Sequence, residues 1–204
     1  MTNAKLLTVD ELVAGLPQVA QSPKDNGELK LIVRRPANGQ REVLEKGELD
    51  LVVGLVGDNW KTRGSRHMPD GSANPNAQLT IMNSRVIALL AREEQRWPLA
   101  GDQLYVDFDL SAGNIPPGTQ LAIGSAVLEV TAQPHAGCKK FAERFGFQCV
   151  EFINSPEQKE MQLRGINARV VQPGTVRVGD AVRKTSGARD ADIPVGDKPA
   201  SVGL

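Results

Sequence analysis

Short apolar runs cut by turn residues constrain this chain more than any other feature. The segments "LKLIVRRP", "QREVLEKGELDL", "LTIMN", "QLYVDFDL", "TQLAIGSAVLEVTAQ" and "INARVVQPGTVRVGDAVRKT" alternate apolar with polar residues or concentrate β-branched ones. Residues 36–39 read as the turn of a hairpin between the first two. Gly124-Ser125 interrupts the fifth as a hairpin or bulge would, and Pro173-Gly174 and Gly179-Asp180 turn the last. "FQCVEFIN" reads as one more strand, with Cys149 in step with Phe147 and Ile153. Seven or more short strands spaced by turns predict a mainly β fold, a closed β-barrel with a few short peripheral helices.

The helical signals are fewer. "TVDELVAG" carries a capping box, Thr8 with Glu11, and Gly15 as a stop, which predicts a short outlying helix. In "SRVIALLAREEQRWPL", Val86, Leu89, Leu90 and Trp97 recur near helical spacing and Pro98 ends the run, predicting the longest helix. "SPEQKE" has Ser155 as N-cap, Pro156 at the first helical position and Gln158 completing the box. Residues 57–78 show neither period, and a loop of that length in a compact domain is a site candidate. The expected organisation is an N-terminal helical extension over residues 1–28, the barrel over 29–185, and a loose tail over 186–204.

Charge narrows the function classes. The 204 residues hold 24 Lys and Arg against 24 Asp and Glu, so no overall field draws the chain to nucleic acid or to a membrane surface. Any recognition of anions must be local. The first residues lack the apolar run of a signal peptide and no later segment reads as a bilayer span, so a cytoplasmic location is expected. Two cysteines are too few for a disulfide scaffold, and both are expected as thiols.

Cys138 stands between the turn "PHAG" and the short helix "KKFAERFG", whose Phe141 and Phe145 face the core and whose Gly146 ends it. A thiol at a helix start beside Lys139, Lys140 and Arg144 is expected to be acidified, hence nucleophilic or a ligand for a soft metal. The alternative is a buried cysteine packed as a small apolar residue, which is the reading preferred for Cys149. His135 makes His-x-x-Cys, half of a zinc site. Closing it would consume His67, His135, Cys138 and Cys149 together, and a Cys-His dyad lacks a nameable orienting partner. The long loop adds Asp58, Trp60, Lys61, Arg63, Arg66 and His67, and Arg164 with Gly165 adds a cation at a turn. Clustered, these cations would bind phosphate or a pterin anion; scattered, they are a solvated surface. Neither a glycine-rich phosphate loop nor a serine nucleophile elbow is present, which argues against nucleotide hydrolysis and α/β-hydrolase chemistry.

Taken together, "GLVGDNW", "HAGCKKFAERFG", "FINSPE" and "LRGINARVVQPGTVRVGD" resemble the MOSC family, the domain similar to the C-terminal part of eukaryotic molybdenum cofactor sulfurases. The resemblance runs from about residue 29 to 185 and implies a MOSC-type β-barrel. It implies that Cys138 carries sulfur or meets molybdenum, and that Arg164 and Gly165 form the family's Arg-Gly turn. The expected cofactor is molybdenum cofactor, with Cys138 on the metal and Arg63, Arg66, His67, His135, Lys139 and Arg164 around the rest. The implied function is a sulfur transferase or a molybdenum-dependent reductase of N-hydroxylated compounds. The alternative is a non-catalytic sulfur carrier or a module binding a small anionic ligand. The implied partners are a cysteine desulfurase or an electron-donor protein. Pyridoxal phosphate is not expected, because the chain is too short to hold a desulfurase domain.

Overall fold

Strand β1, Gly27–Arg34, organises the molecule, because it pairs with three others. Its first residues meet β11, Ala181–Thr185, its last residues meet β2, Glu42–Leu44, and its opposite edge takes β6, Leu104–Asp107. The computed structural model describes residues 6–66 and 68–185. The expectations about residues 186–204 and about His67 lie outside the described residues.

The ring runs β1, β11, β7 (Gln120–Ile123), β8 (Ala126–Val130), β9 (Ile166–Gln172), β5 (Leu79–Asn83), β6 and back to β1. It is a closed seven-stranded barrel with β2 alongside as an eighth strand. Among the described residues only β5 and β6 pair in parallel; the other pairings are antiparallel. A ribbon of β3 (Lys46–Asp50), β4 (Gly54–Leu55) and β10 (Gly174–Arg177) packs beside the barrel. Period-two alternation fills the interior: Ala126, Leu128 and Val130 from β8, and Ile166, Ala168 and Val170 from β9, are all buried.

A second core lies against the outer face of β5 and β6, where Met82 and Tyr105 meet four helices. Strand β6 therefore buries both of its faces, which explains its unbroken "LYV". Helix α1, Val9–Ala20, has the expected capping box, Thr8 N–H to Glu11 Oε2 at 2.9 Å and Glu11 N–H to Thr8 Oγ1 at 3.3 Å. It runs on through Gly15 and Pro17. A Cβ on Gly15 would lie 2.5 Å from Leu89, so the glycine serves close packing on α3, Ser84–Ala91, rather than a stop. With Leu12 fully buried, α1 belongs to the second core and is not an outlier.

Two elements differ from expectation. The run from Ser84 does not continue to Trp97: α3 ends at Ala91, Arg92 takes φ 60°, and a 3-10 turn, Glu94–Ala100, holds Pro98 inside it. The helix thus stops at the positive φ of Arg92, six residues before Pro98, and the proline is accommodated inside the 3-10 turn as Pro17 is inside α1. "FQCVEFI" is helix α5, Phe147–Ile153, not a strand. Cys149 and Ile153 are buried four residues apart, whereas Phe147, which a strand would have turned inward with them, is 67% exposed. Gly146, at φ 95°, ends the preceding helix and starts this one. Residues 57–78 hold a one-turn helix α2, Trp60–Arg63, and a short 3-10 turn, Pro75–Ala77. Among the described residues no helix is long and apolar enough to cross a membrane.

Candidate functional site

The last residues of the 3-10 turn Glu94–Ala100 and Gly101 after it aim successive carbonyls at cations. Pro98 O accepts from Arg41 Nε at 3.2 Å, Leu99 O from Arg144 Nη1, Ala100 O from Arg164 Nη2 at 3.2 Å and Gly101 O from Arg35 Nη1 at 2.8 Å. The end of a helical turn leaves its carbonyls unpaired and carries partial negative charge, so guanidinium groups satisfy it well. Trp97 O extends the row by accepting from the Tyr105 hydroxyl at 2.9 Å.

Two of the four arginines are matched by buried carboxylates. Arg35 forms a two-pronged pair with Asp58, Nε to Oδ2 and Nη2 to Oδ1 each at 2.8 Å, and the backbone N–H groups of Arg35 and Trp60 donate to the same carboxylate. Burial pushes the Asp58 carboxyl up, but the Arg35 hydrogen bonds and charge outweigh it and hold the group below the usual carboxylate range. Arg164 Nη1 lies 2.9 and 2.7 Å from the two oxygens of Asp102, which is fully buried, and its guanidinium centre stands 4.7 Å from the Phe141 ring. Arg41 and Arg144 have carbonyl partners and, among the described residues, no carboxylate paired with them. Around Gly101 their guanidinium groups converge: a Cβ there would meet only Arg41 Nη2 at 3.5 Å and Arg144 Nη1 at 3.9 Å. Burial and then the charges of Arg144 and Arg35 hold Arg41 below its ordinary value, and burial and then Arg35 do the same to Arg63. These like charges favour an anion between them.

Helix α4, Lys139–Phe145, is held against this row on two sides. Lys140 Nζ reaches Asn38 Oδ1 at 3.3 Å and Arg144, one turn on, reaches Leu99 O, while Phe141 lies under Arg164. Cys138 is the N-cap residue and is exposed. Its carbonyl accepts from the N–H groups of Phe141 and Ala142, and its sulfur accepts no capping bond. No helix amide donates to the sulfur, and Arg144 serves the carbonyl row instead of the thiol. The buried reading does not describe Cys138. It does describe Cys149, whose thiol burial pushes up to about 12.

The other predicted residues fall on both sides of this row. His135 Nε2 is 3.7 Å from Asp102 Oδ1, too far for a hydrogen bond, and Nδ1 is enclosed without a partner. Burial, then the charge of Arg164, pushes its imidazole down to about 3, so it is neutral at neutral pH. Arg63 sits by the Arg35–Asp58 pair, and Arg66 and Lys139 are exposed. Among the described residues no three His, Cys, Asp or Glu side chains gather to hold a bare metal ion. On the far side of His135 and Arg164, a cavity of about 400 Å³ opens between residues 130–136, the 3-10 turn Pro156–Met161 and β9. Sequence reading missed Arg35, Arg41 and Asp102, since nothing near any of them in the chain signals a partner.

A family model described as the MOSC domain matches residues 69–183. The chain belongs to the MOSC domain family. Solved structures agree on the fold. YiiM from Escherichia coli superposes with TM-score 0.51 at 19% identity, over 80% of this chain and 72% of YiiM. The YuaD protein from Bacillus subtilis gives 0.50 at 16% identity, over 77% of this chain and 94% of that one. A hypothetical protein known from its crystal structure gives 0.54 at 20% identity, over 80% and 70%. No curated protein sequence matches this chain. The matched span of the MOSC domain carries Asp102, His135, Cys138, Arg144 and Arg164, whereas Arg35, Arg41, Asp58 and Arg63 precede it.

Proposed function

We propose that this MOSC domain binds molybdenum cofactor, with the Cys138 sulfur as the protein's ligand to the metal and Arg41 and Arg144 as the seat of the cofactor's phosphate. The observation that supports this most is an exposed thiol on the helix whose Arg144 joins a row of four arginines and two carboxylates. Beside Gly101, Arg41 Nη2 and Arg144 Nη1 come within 3.5 and 3.9 Å of one point, so the two guanidinium groups face a common space. When bound, the cofactor supplies a redox-active molybdenum that accepts soft thiolate sulfur. Arg63 adds charge near the Arg35–Asp58 pair, and the Arg164–Asp102 pair fixes α4 through Phe141. Arg164 thus positions the helix and does not hold the anion itself. Such a site suits transfer of sulfur on Cys138 or reduction of N-hydroxylated compounds, with a desulfurase or an electron-donor protein as partner in a reducing cytoplasm.

The test is to purify the protein from a cofactor-producing host and measure bound molybdenum and the fluorescence of the oxidised pterin. Wild type is expected to carry both. Arg41→Ala and Arg144→Ala should each weaken binding by roughly 1.5 to 3 kcal/mol, the loss of one charged hydrogen bond. Cys138→Ser should lose molybdenum. Equal molybdenum in wild type and Cys138→Ser removes the sulfur from the metal and leaves the sulfur-carrier reading. No cofactor in any protein, even after reconstitution, ends the binding proposal.

A further inference from the structure

The cavity behind His135 has no part in the phosphate seat, and its chemistry is different. Its walls are largely apolar, with Val130, Pro134, Ile153, Leu163 and Ile166 among the lining residues. Its charged residues are few: Lys159 and Glu160 are solvent-exposed and of opposite sign, and Arg164 is neutralised by Asp102. At about 400 Å³ it falls at the small end of the range for pockets that enclose organic ligands. A more open depression of about 540 Å³, bordered by Glu129 and Arg169, shares residues 130–134 with it and gives it an approach from solvent.

The cavity is tied to the thiol by one short segment. Asn154, in its wall, accepts from Gly137 N–H at 2.9 Å and donates to Gly137 O at 3.2 Å, pinning the stretch that continues into Cys138. We infer that this cavity is the binding site for an uncharged, mainly apolar organic molecule, which it holds against the loop that carries Cys138. Inside the cavity the one enclosed cation, Arg164, is already held by Asp102, and Lys159 and Glu160 are solvent-exposed, so burying an ion there would be costly. The name substrate for that molecule rests on the cofactor reading, while its binding does not.

The experiment uses cofactor-free protein and two dyes of the same body. N-phenyl-1-naphthylamine is neutral, and 8-anilino-1-naphthalenesulfonate adds one negative charge. The neutral dye is expected to bind one per chain with enhanced fluorescence, and the sulfonate at least tenfold more weakly. Ala132→Trp and Ala112→Trp, which fill the cavity from separate walls, should each weaken the neutral dye tenfold or more at an unchanged unfolding midpoint. Arg144→Ala, and Phe147→Ser on the exposed apolar surface, should leave it unchanged. The inference is overturned by no binding of the neutral dye, by equal binding of the sulfonate, by indifference to both tryptophans, or by loss with Phe147→Ser. Molybdenum loading enters none of these readings, so failure here and failure of the cofactor proposal are separate results.

Discussion

Arg164 and Asp102 illustrate how a cation that looks available in the sequence is consumed by the fold. Both side chains are nearly inaccessible, and each is the other's main compensation. Removing one partner of such a pair leaves a buried charge, so Asp102→Ala should lower stability by about 3 to 5 kcal/mol in chemical denaturation. The double change Asp102→Leu with Arg164→Met should cost less than that single one, because no charge stays behind. His135, beside the pair, makes a pH prediction. The ordinary imidazole value is 6.5 and the folded one about 3, so between them the unfolded chain binds the extra proton. Stability is therefore full above pH 6.5 and falls as pH drops toward 3, by up to about 1.4 kcal/mol per pH unit. From pH 6.5 to 5, wild type should lose about 1.6 kcal/mol relative to His135→Gln, read from denaturation midpoints. Parallel curves for the two proteins would show that the imidazole is not held neutral by the fold.

Among the elements, α3 depends most on one side chain. Asn83 Oδ1 caps it, accepting from the N–H groups of Arg85 at 2.8 Å and Val86 at 3.3 Å. Its Nδ2 donates to Ser22 Oγ and Phe108 O, each at 2.8 Å, and so ties α3 to the end of α1 and to the barrel. Asn83→Ala removes a cap, about 1 kcal/mol, and strands buried acceptors, about 1 to 3 more, so a loss near 2 to 4 kcal/mol is expected by chemical denaturation. A loss below about 0.5 kcal/mol would mean water replaces these bonds. The strands were legible because half-buried strands declare themselves in alternation, as in "TQLAIGSAVLEV". The short helix α5 was not, since over seven residues the apolar positions of "FQCVEFI" fit either period and only packing chooses.

At the level of the whole molecule, a neutral chain has built a cationic site by gathering arginines from just past β1, the hairpin turn and α4 around one row of carbonyls, with no excess elsewhere required. The two cysteines report on opposite parts of this arrangement. In native protein, iodoacetamide is expected to modify Cys138 alone, and Cys149 only at the rate of global unfolding, because Cys149 lies in the second core among α1, α4 and α5. Mass spectrometry would then count one adduct in buffer and two in denaturant. Fast labelling of Cys149 in buffer would show that the helical layer opens independently of the barrel.

The sequence by itself determined the strand-rich barrel and the capped first helix, because alternation and capping are patterns within a few residues. Gly165 shows the limit of that reading. It has φ 94° and an added Cβ would lie 2.2 Å from Ile81 O, so the glycine is required by a strand far away in the chain. Only the tertiary structure decided which cations meet. Pro98 to Gly101 receive Arg41, Arg144, Arg164 and Arg35 across separations of 57, 45, 64 and 66 residues. No local pattern encodes such pairings, since a guanidinium group finds its partner through the closure of the barrel and the seating of α4, and the carbonyl row exists only where the 3-10 turn Glu94–Ala100 ends against them.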